Sequence, residues 1–179
     1  MSTSTVSSGA SSRLSSPLGR AVVWAVAIVV WCALAGYVAG RIWMTRWHAP
    51  TGQALNHVWY PAPWDEGNKA AFAATAWFAL IGFPLGLITG FLAGWLSQAR
   101  ELVTLGAVLV GTCLAAWVMV AYGMHISPPD PAAAAKKAAD GTVILGSLAR
   151  PGYAVMAVVP AGAVAVLAAI YLLGPRSSK

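Results

Sequence analysis

The chain has 179 residues, of which 59% are hydrophobic and only 9% charged, with a mean hydropathy of +0.70. A soluble globular domain carries about 25% charged residues, so this composition is that of an integral membrane protein. The net charge of +6 does not signal nucleic acid, because the 11 basic residues are scattered singly or in one pair and flank apolar runs. There they act as topology signals and headgroup contacts.

Residues 1–19 hold eight serines, two threonines and only four bulky apolar side chains. They cannot bury enough surface to offset ordering entropy, which predicts a disordered cytoplasmic tail. The first apolar run, 21–40, is bounded by Arg20 and Arg41. It exceeds the 7–15 residues of a signal-peptide core and lacks an A-x-A cleavage site, so it reads as a retained transmembrane helix. Gly36 and Gly40 form a GxxxG pair near its far end.

Residues 41–69 are too polar to span and read as a loop, whose Trp43, Trp47, Trp59, Tyr60 and Trp64 are expected at the headgroup level. Asp65 is placed to cap the next helix, with Glu66 at its positive end. The second span, 71–96, carries Gly82, Gly86, Gly90 and Gly94 at every fourth position. That row leaves a groove without side chains, through which another helix backbone can approach closely. The expected partner is the first or third span. Pro84, inside the span, is expected to kink it.

The link 97–101, SQARE, is short enough to force an antiparallel hairpin with the third span, 102–122. In the second outer loop, DPAAAAKKAADG reads as a short helix. Asp130 caps it, Pro131 takes the first turn, Lys136 and Lys137 oppose the dipole, and Gly141 ends it. TVILGSLARP reads as a short extended or interfacial piece. The fourth span, 151–174, contains Pro160 as a second expected kink, and residues 176–179 form a cytoplasmic tail. The predicted fold is an all-α four-helix membrane bundle over 20–175, its two longer loops forming a small extracellular cap. Raw basic counts of five and six on the two sides hardly decide orientation. The five on the terminal side all lie within about 10 residues of a span end, which places both termini in the cytoplasm.

No Asp, Glu, Lys, Arg or His lies within the four spans, which argues against proton-coupled carriers and charge-selective pores. It equally argues against a haem held by histidines inside the bilayer. His48, His57 and His125 fall in the outer loops with no tight metal spacing, so no metal or other cofactor is assigned. Cys32 and Cys113 each lie 12 residues into their spans, at similar depth, where they could be neighbours; packing is the simpler role. No nucleophile elbow, HExxH, P-loop or dinucleotide fingerprint occurs, so no catalytic residue is assigned.

Pro128–Pro131 and Ala138–Val143, set in a four-span order with a glycine-rich second span ending at Gly94–Trp95–Leu96, resemble an uncharacterised family of actinobacterial membrane proteins. The resemblance implies a bacterial plasma membrane and brings no activity, cofactor or catalytic residue. The leading expectation is a non-enzymatic accessory or scaffold protein that binds a membrane-protein partner or lipid. Its surface would comprise Trp59, Tyr60, Trp64, Asp65, Glu66, His125 and Asp130, together with the glycine faces. The alternatives are a small channel or carrier for a neutral or lipid-like solute, and an envelope enzyme using outer-loop His and Asp residues. The sequence assigns no oligomeric state.

Overall fold

The computed structural model describes residues 17–96 and 101–173, with side chains from residues 19 and 102 onward in the two segments. The Ser-rich stretch 1–16, the turn residues 97–100 and the end 174–179 lie outside it. Four helices are long and apolar enough to cross a membrane, and the protein is a multi-pass membrane protein. They are α1 (Pro17–Arg46), α2 (Glu66–Leu96), α3 (Glu101–Ile126) and a fourth span made of a short α5 (Tyr153–Met156) and α6 (Val158–Leu173). All but the fourth span extend beyond the apolar runs, because nothing helix-breaking stops α1 before Arg46 or delays α2 past Glu66.

The break in the fourth span falls at Ala157, three residues before Pro160. Proline has no N–H to give to the Met156 carbonyl, so that rung of the helix is missing. The ladder resumes with Ala161 N–H donating to Ala157 O at 2.9 Å. Across Pro84, by contrast, α2 continues as one helix.

The helices pair out of chain order. α1 packs chiefly on α3, and α2 chiefly on the fourth span. The glycine row of α2 therefore meets α6, and the expected partnership with the first or third span is corrected. A Cβ on Gly86 would fall onto the carbonyl oxygen of Val159 and within 3.1 Å of Ala163 N; one on Gly90 would lie 2.8 Å from Ala163 Cα. At Gly82 and Gly94 the facing atoms are side-chain methyls of Val159 and Ile170, at 2.9 and 2.8 Å. The first and third spans approach through their own small residues. A Cβ on Gly36 would lie 2.7 Å from Ala115 Cα, and one on Gly40 3.2 Å from Met119 O. At Gly36, Gly40, Gly86 and Gly90 the contact is backbone against backbone, the arrangement that dispersion favours when lipid removes the hydrophobic drive for association.

Where the four helices converge toward the loops, Trp43, Phe78, Met119 and Val159 are fully buried. The Trp43 ring meets Phe78 edge-on at 5.3 Å, and its indole N–H donates to Ala74 O at 2.9 Å. Trp47, 6% exposed, donates likewise to Ala70 O at 3.2 Å. These two tryptophans are internal packing residues and not the headgroup anchors expected of them. Toward the other end a smaller cluster of Ala93, Val108, Ala163 and Leu167 closes the bundle. Cys32 is fully buried beside Gly111, whereas Cys113 is exposed, so the two thiols are not neighbours.

The four spans form the expected helical bundle, and the segments that connect them add a small β-sheet. Residues 51–61 form a hairpin of β1 (Thr51–Leu55) and β2 (Val58–Pro61), and β3 (Val143–Leu145) joins from the second loop in the order β2-β1-β3, all antiparallel. The two-residue turn places both Asn56 (φ 52) and His57 (φ 63) in the left-handed region. A short helix α4 (Pro131–Ala135) packs on all three strands. Asp130 caps it as expected, its carboxylate accepting from Ala132 N at 3.0 Å. The helix ends after five residues, so Lys136 and Lys137 lie in the following turns; Gly141 takes φ +86 further on.

Candidate functional site: the outer sheet

Alternation along the strands assigns each residue a face. On β1, Gly52 and Ala54 are buried while Thr51, Gln53 and Leu55 are exposed. The register places Gln53 opposite both Tyr60 and Val143, Thr51 opposite Leu145, and Leu55 opposite Val58. Directly paired residues share a face, so these seven side chains form the outward surface. Gly52, Ala54, Trp59 and Ile144 form the inward one, where Trp59 N–H donates to Ile144 O at 3.2 Å. Gly52 is required beneath that ring, because a Cβ there would lie 2.5 Å from the indole Cε2.

An antiparallel sheet with one free face usually turns polar residues outward. Here the outward face is mainly apolar. Leu55, Val58, Tyr60, Val143 and Leu145 are 44–65% exposed, relieved only by Thr51 and Gln53. Among the described residues, β2 and β3 each also present an edge with no further strand beside it.

The predicted surface residues divide between this face and its surroundings. Tyr60 belongs to it, and Trp64, 80% exposed, lies just past β2. Trp59 is turned inward. Asp65 and Glu66 open α2: the Asp65 carboxylate forms an ion pair with Lys69, and Glu66 accepts a hydrogen bond from the Thr51 hydroxyl at 3.4 Å. The Lys69 ammonium hydrogen-bonded to Asp65 holds that carboxyl below its ordinary pKa. Asp130 is occupied with its cap, and exposed His125 ends α3; neither is joined to the other or to Asp65 by a hydrogen bond among the described residues. No three His, Cys, Asp or Glu side chains among the described residues gather as a metal site would require.

Reading from the sequence missed Leu55, Val58, Val143 and Leu145. The available signal was VxY in β2 and VIL in β3, short β-branched and aromatic stretches of the strand-forming type. The glycines singled out for helix packing, Gly36, Gly40, Gly82, Gly86, Gly90 and Gly94, lie against the protein's own helices, so none is left for a partner. No family model, no curated protein and no solved structure matches the chain.

Proposed function

We propose that the protein is a non-enzymatic accessory or scaffold protein of the bacterial plasma membrane, with both termini cytoplasmic. It engages a membrane-protein partner through the outward face of its extracellular sheet. The observation that carries this reading is the exposed row of Leu55, Val58, Tyr60, Val143 and Leu145 on a folded sheet outside the bundle. A face of this kind costs free energy in water unless something covers it, and contiguous exposed apolar patches mark interaction sites. The glycine rows no longer contribute to such a surface, since α6 and α3 occupy them. That also weakens the alternative of a channel along the glycine row, which would require α2 and α6 to part.

The test is purification of the tagged full-length protein from its native membrane in mild detergent, with native mass and identification of what elutes. The expected result is a stoichiometric heteromer that Val143→Glu or Leu145→Glu dissociates without lowering the unfolding temperature. Recovery of monomer or homo-oligomer alone would overturn the proposal.

A further inference from the structure

At the end of the bundle where α1 begins and α2 ends, a cleft of about 320 Å³ opens between α1, α2 and α3. Its size lies at the lower end of the roughly 300–1,000 Å³ typical of small-molecule sites. Trp24, Ile28 and Trp31 line it from α1, Thr89 and Leu96 from α2, and Val103 from α3. The three α1 residues recur at four- and three-residue steps, which aligns them along one face. From Ala21 to Trp31 the wall descends about 15 Å into the membrane-spanning part at 1.5 Å per residue. Among the described residues, no Asp, Glu, Lys, Arg or His lines the cleft.

One hydrogen-bond donor in this wall, Thr89, differs from its counterparts elsewhere in the chain, whereas Thr104, also on the wall, is engaged. Thr75 and Thr112 each donate to the carbonyl four residues back, at 3.1 and 2.7 Å, the usual refuge for a hydroxyl in an apolar helix. Thr89 is only 3% exposed and among the described residues its hydroxyl has no partner; since no fully enclosed side-chain oxygen or nitrogen there is left unpaired, the hydroxyl is open to the cleft it lines. Trp43, Trp47 and Trp59 donate to backbone carbonyls. The indoles of Trp24 and Trp31 have no such bond among the described residues, but neither do those of Trp64, Trp77, Trp95 and Trp117, so Thr89 alone sets this wall apart. In hydrocarbon, where no water substitutes, an unpaired donor is costly, so the wall is complementary to a ligand that brings an oxygen.

We propose that this cleft binds one neutral lipid-like molecule, a hydrocarbon chain bearing an uncharged oxygen, and that this oxygen accepts a hydrogen bond from the Thr89 hydroxyl. The surrounding medium supplies hydrocarbon chains. The uncharged lining selects against ionised headgroups, and Thr89 distinguishes an oxygenated chain from a plain one. The site lies at the opposite end of the bundle from the sheet and stands independently of the partner reading.

The full-length protein, reconstituted in nanodiscs of defined phospholipid, would be photolabelled with a long-chain alcohol carrying a diazirine. The matched alkane and the matched carboxylate serve as comparison probes, and labelled residues are mapped by mass spectrometry. Saturable labelling of the Ala21–Trp31 and Thr89–Leu96 segments by the alcohol, in preference to both comparison probes, is expected. Thr89→Val keeps the side-chain shape and should lower the alcohol's apparent affinity about five-fold, toward that of the alkane. Ala25→Leu, on the cleft wall, should remove labelling there while the unfolding temperature holds. Equal, unsaturable labelling by alcohol and alkane would overturn the proposal, as would a Thr89→Val protein that binds the alcohol unchanged. Preference for the carboxylate would overturn it too.

Discussion

A methyl group placed on Gly90 would stand 2.8 Å from the Cα of Ala163, on a neighbouring helix more than seventy residues away in the chain. Backbone cannot yield to it as the end of a flexible side chain can. Gly86→Ala and Gly90→Ala should therefore destabilise the bundle by about 1–3 kcal/mol or more, the range for overpacking a tight core. Gly94→Ala meets the terminal carbon of Ile170 and should cost less. Gly106→Ala, with nothing within 4 Å, should be close to neutral. Reversible unfolding in mild detergent would rank the four. An equal response from Gly90 and Gly106 would contradict the packing.

The two cysteines provide an internal clock for opening of the bundle. Cys113 is exposed and Cys32 fully buried beside Gly111. In detergent, a small lipid-soluble thiol reagent should modify Cys113 at once and Cys32 only as fast as the bundle opens. Mass spectrometry of the single-cysteine variants resolves the two rates. An oxidant should leave the thiols unlinked in the folded monomer.

His57 is a non-glycine residue at φ 63 in a two-residue turn that prefers glycine there. His57→Gly relieves the left-handed strain at some cost in chain entropy. A net gain of about 0.5 kcal/mol is expected in the hairpin. It should appear as slower hydrogen exchange at the paired amides of β1 and β2. Loss of protection would show that the imidazole contributes a contact that the turn needs.

The Asp65–Lys69 ion pair fixes the sign of one pH effect. Because the folded pKa of Asp65 lies below its unfolded value, the pair contributes fully above the ordinary carboxylate pKa. That contribution fades as pH falls through the lowered value. Both groups sit at the surface, so the effect on stability is small. A carboxyl NMR titration should find Asp65 titrating low in the wild type and returning to the ordinary range in Lys69→Met.

The four spans could be read directly from the sequence, because twenty or so uninterrupted apolar residues have no better place than a bilayer. The asymmetry of the two proline breaks could not: Pro84 and Pro160 carry the same covalent restriction, yet only the second interrupts its helix. Which helix the Gly82–Gly94 row meets was equally hidden, since four-residue spacing defines a face but names no partner. The relation of Cys32 to Cys113 shows the same limit. Depth along the spans places them level, but Cys32 faces Gly111, and two residues on a helix turn through roughly 200°, which carries Cys113 to the far side. The sheet escaped notice because its strands are three to five residues long, and β1 alternates glycine and alanine against threonine, glutamine and leucine. With small residues inside and apolar ones outside, the usual hydrophobic alternation is blurred. Its turn also uses Asn-His where Asn-Gly would have announced a hairpin.

The out-of-order pairing of the spans sets a timetable for synthesis. Ala163 follows Gly86 by 77 residues. At about 5–20 residues per second, α2 waits roughly 4–15 s after its glycines are made before α6 exists to cover them. α1 likewise waits for α3. During that interval the nascent chain holds two inserted helices whose best surfaces face lipid or the insertion machinery, and not each other. A chain halted before α6 would leave the glycine groove open, a natural handle for quality control to recognise an unfinished copy.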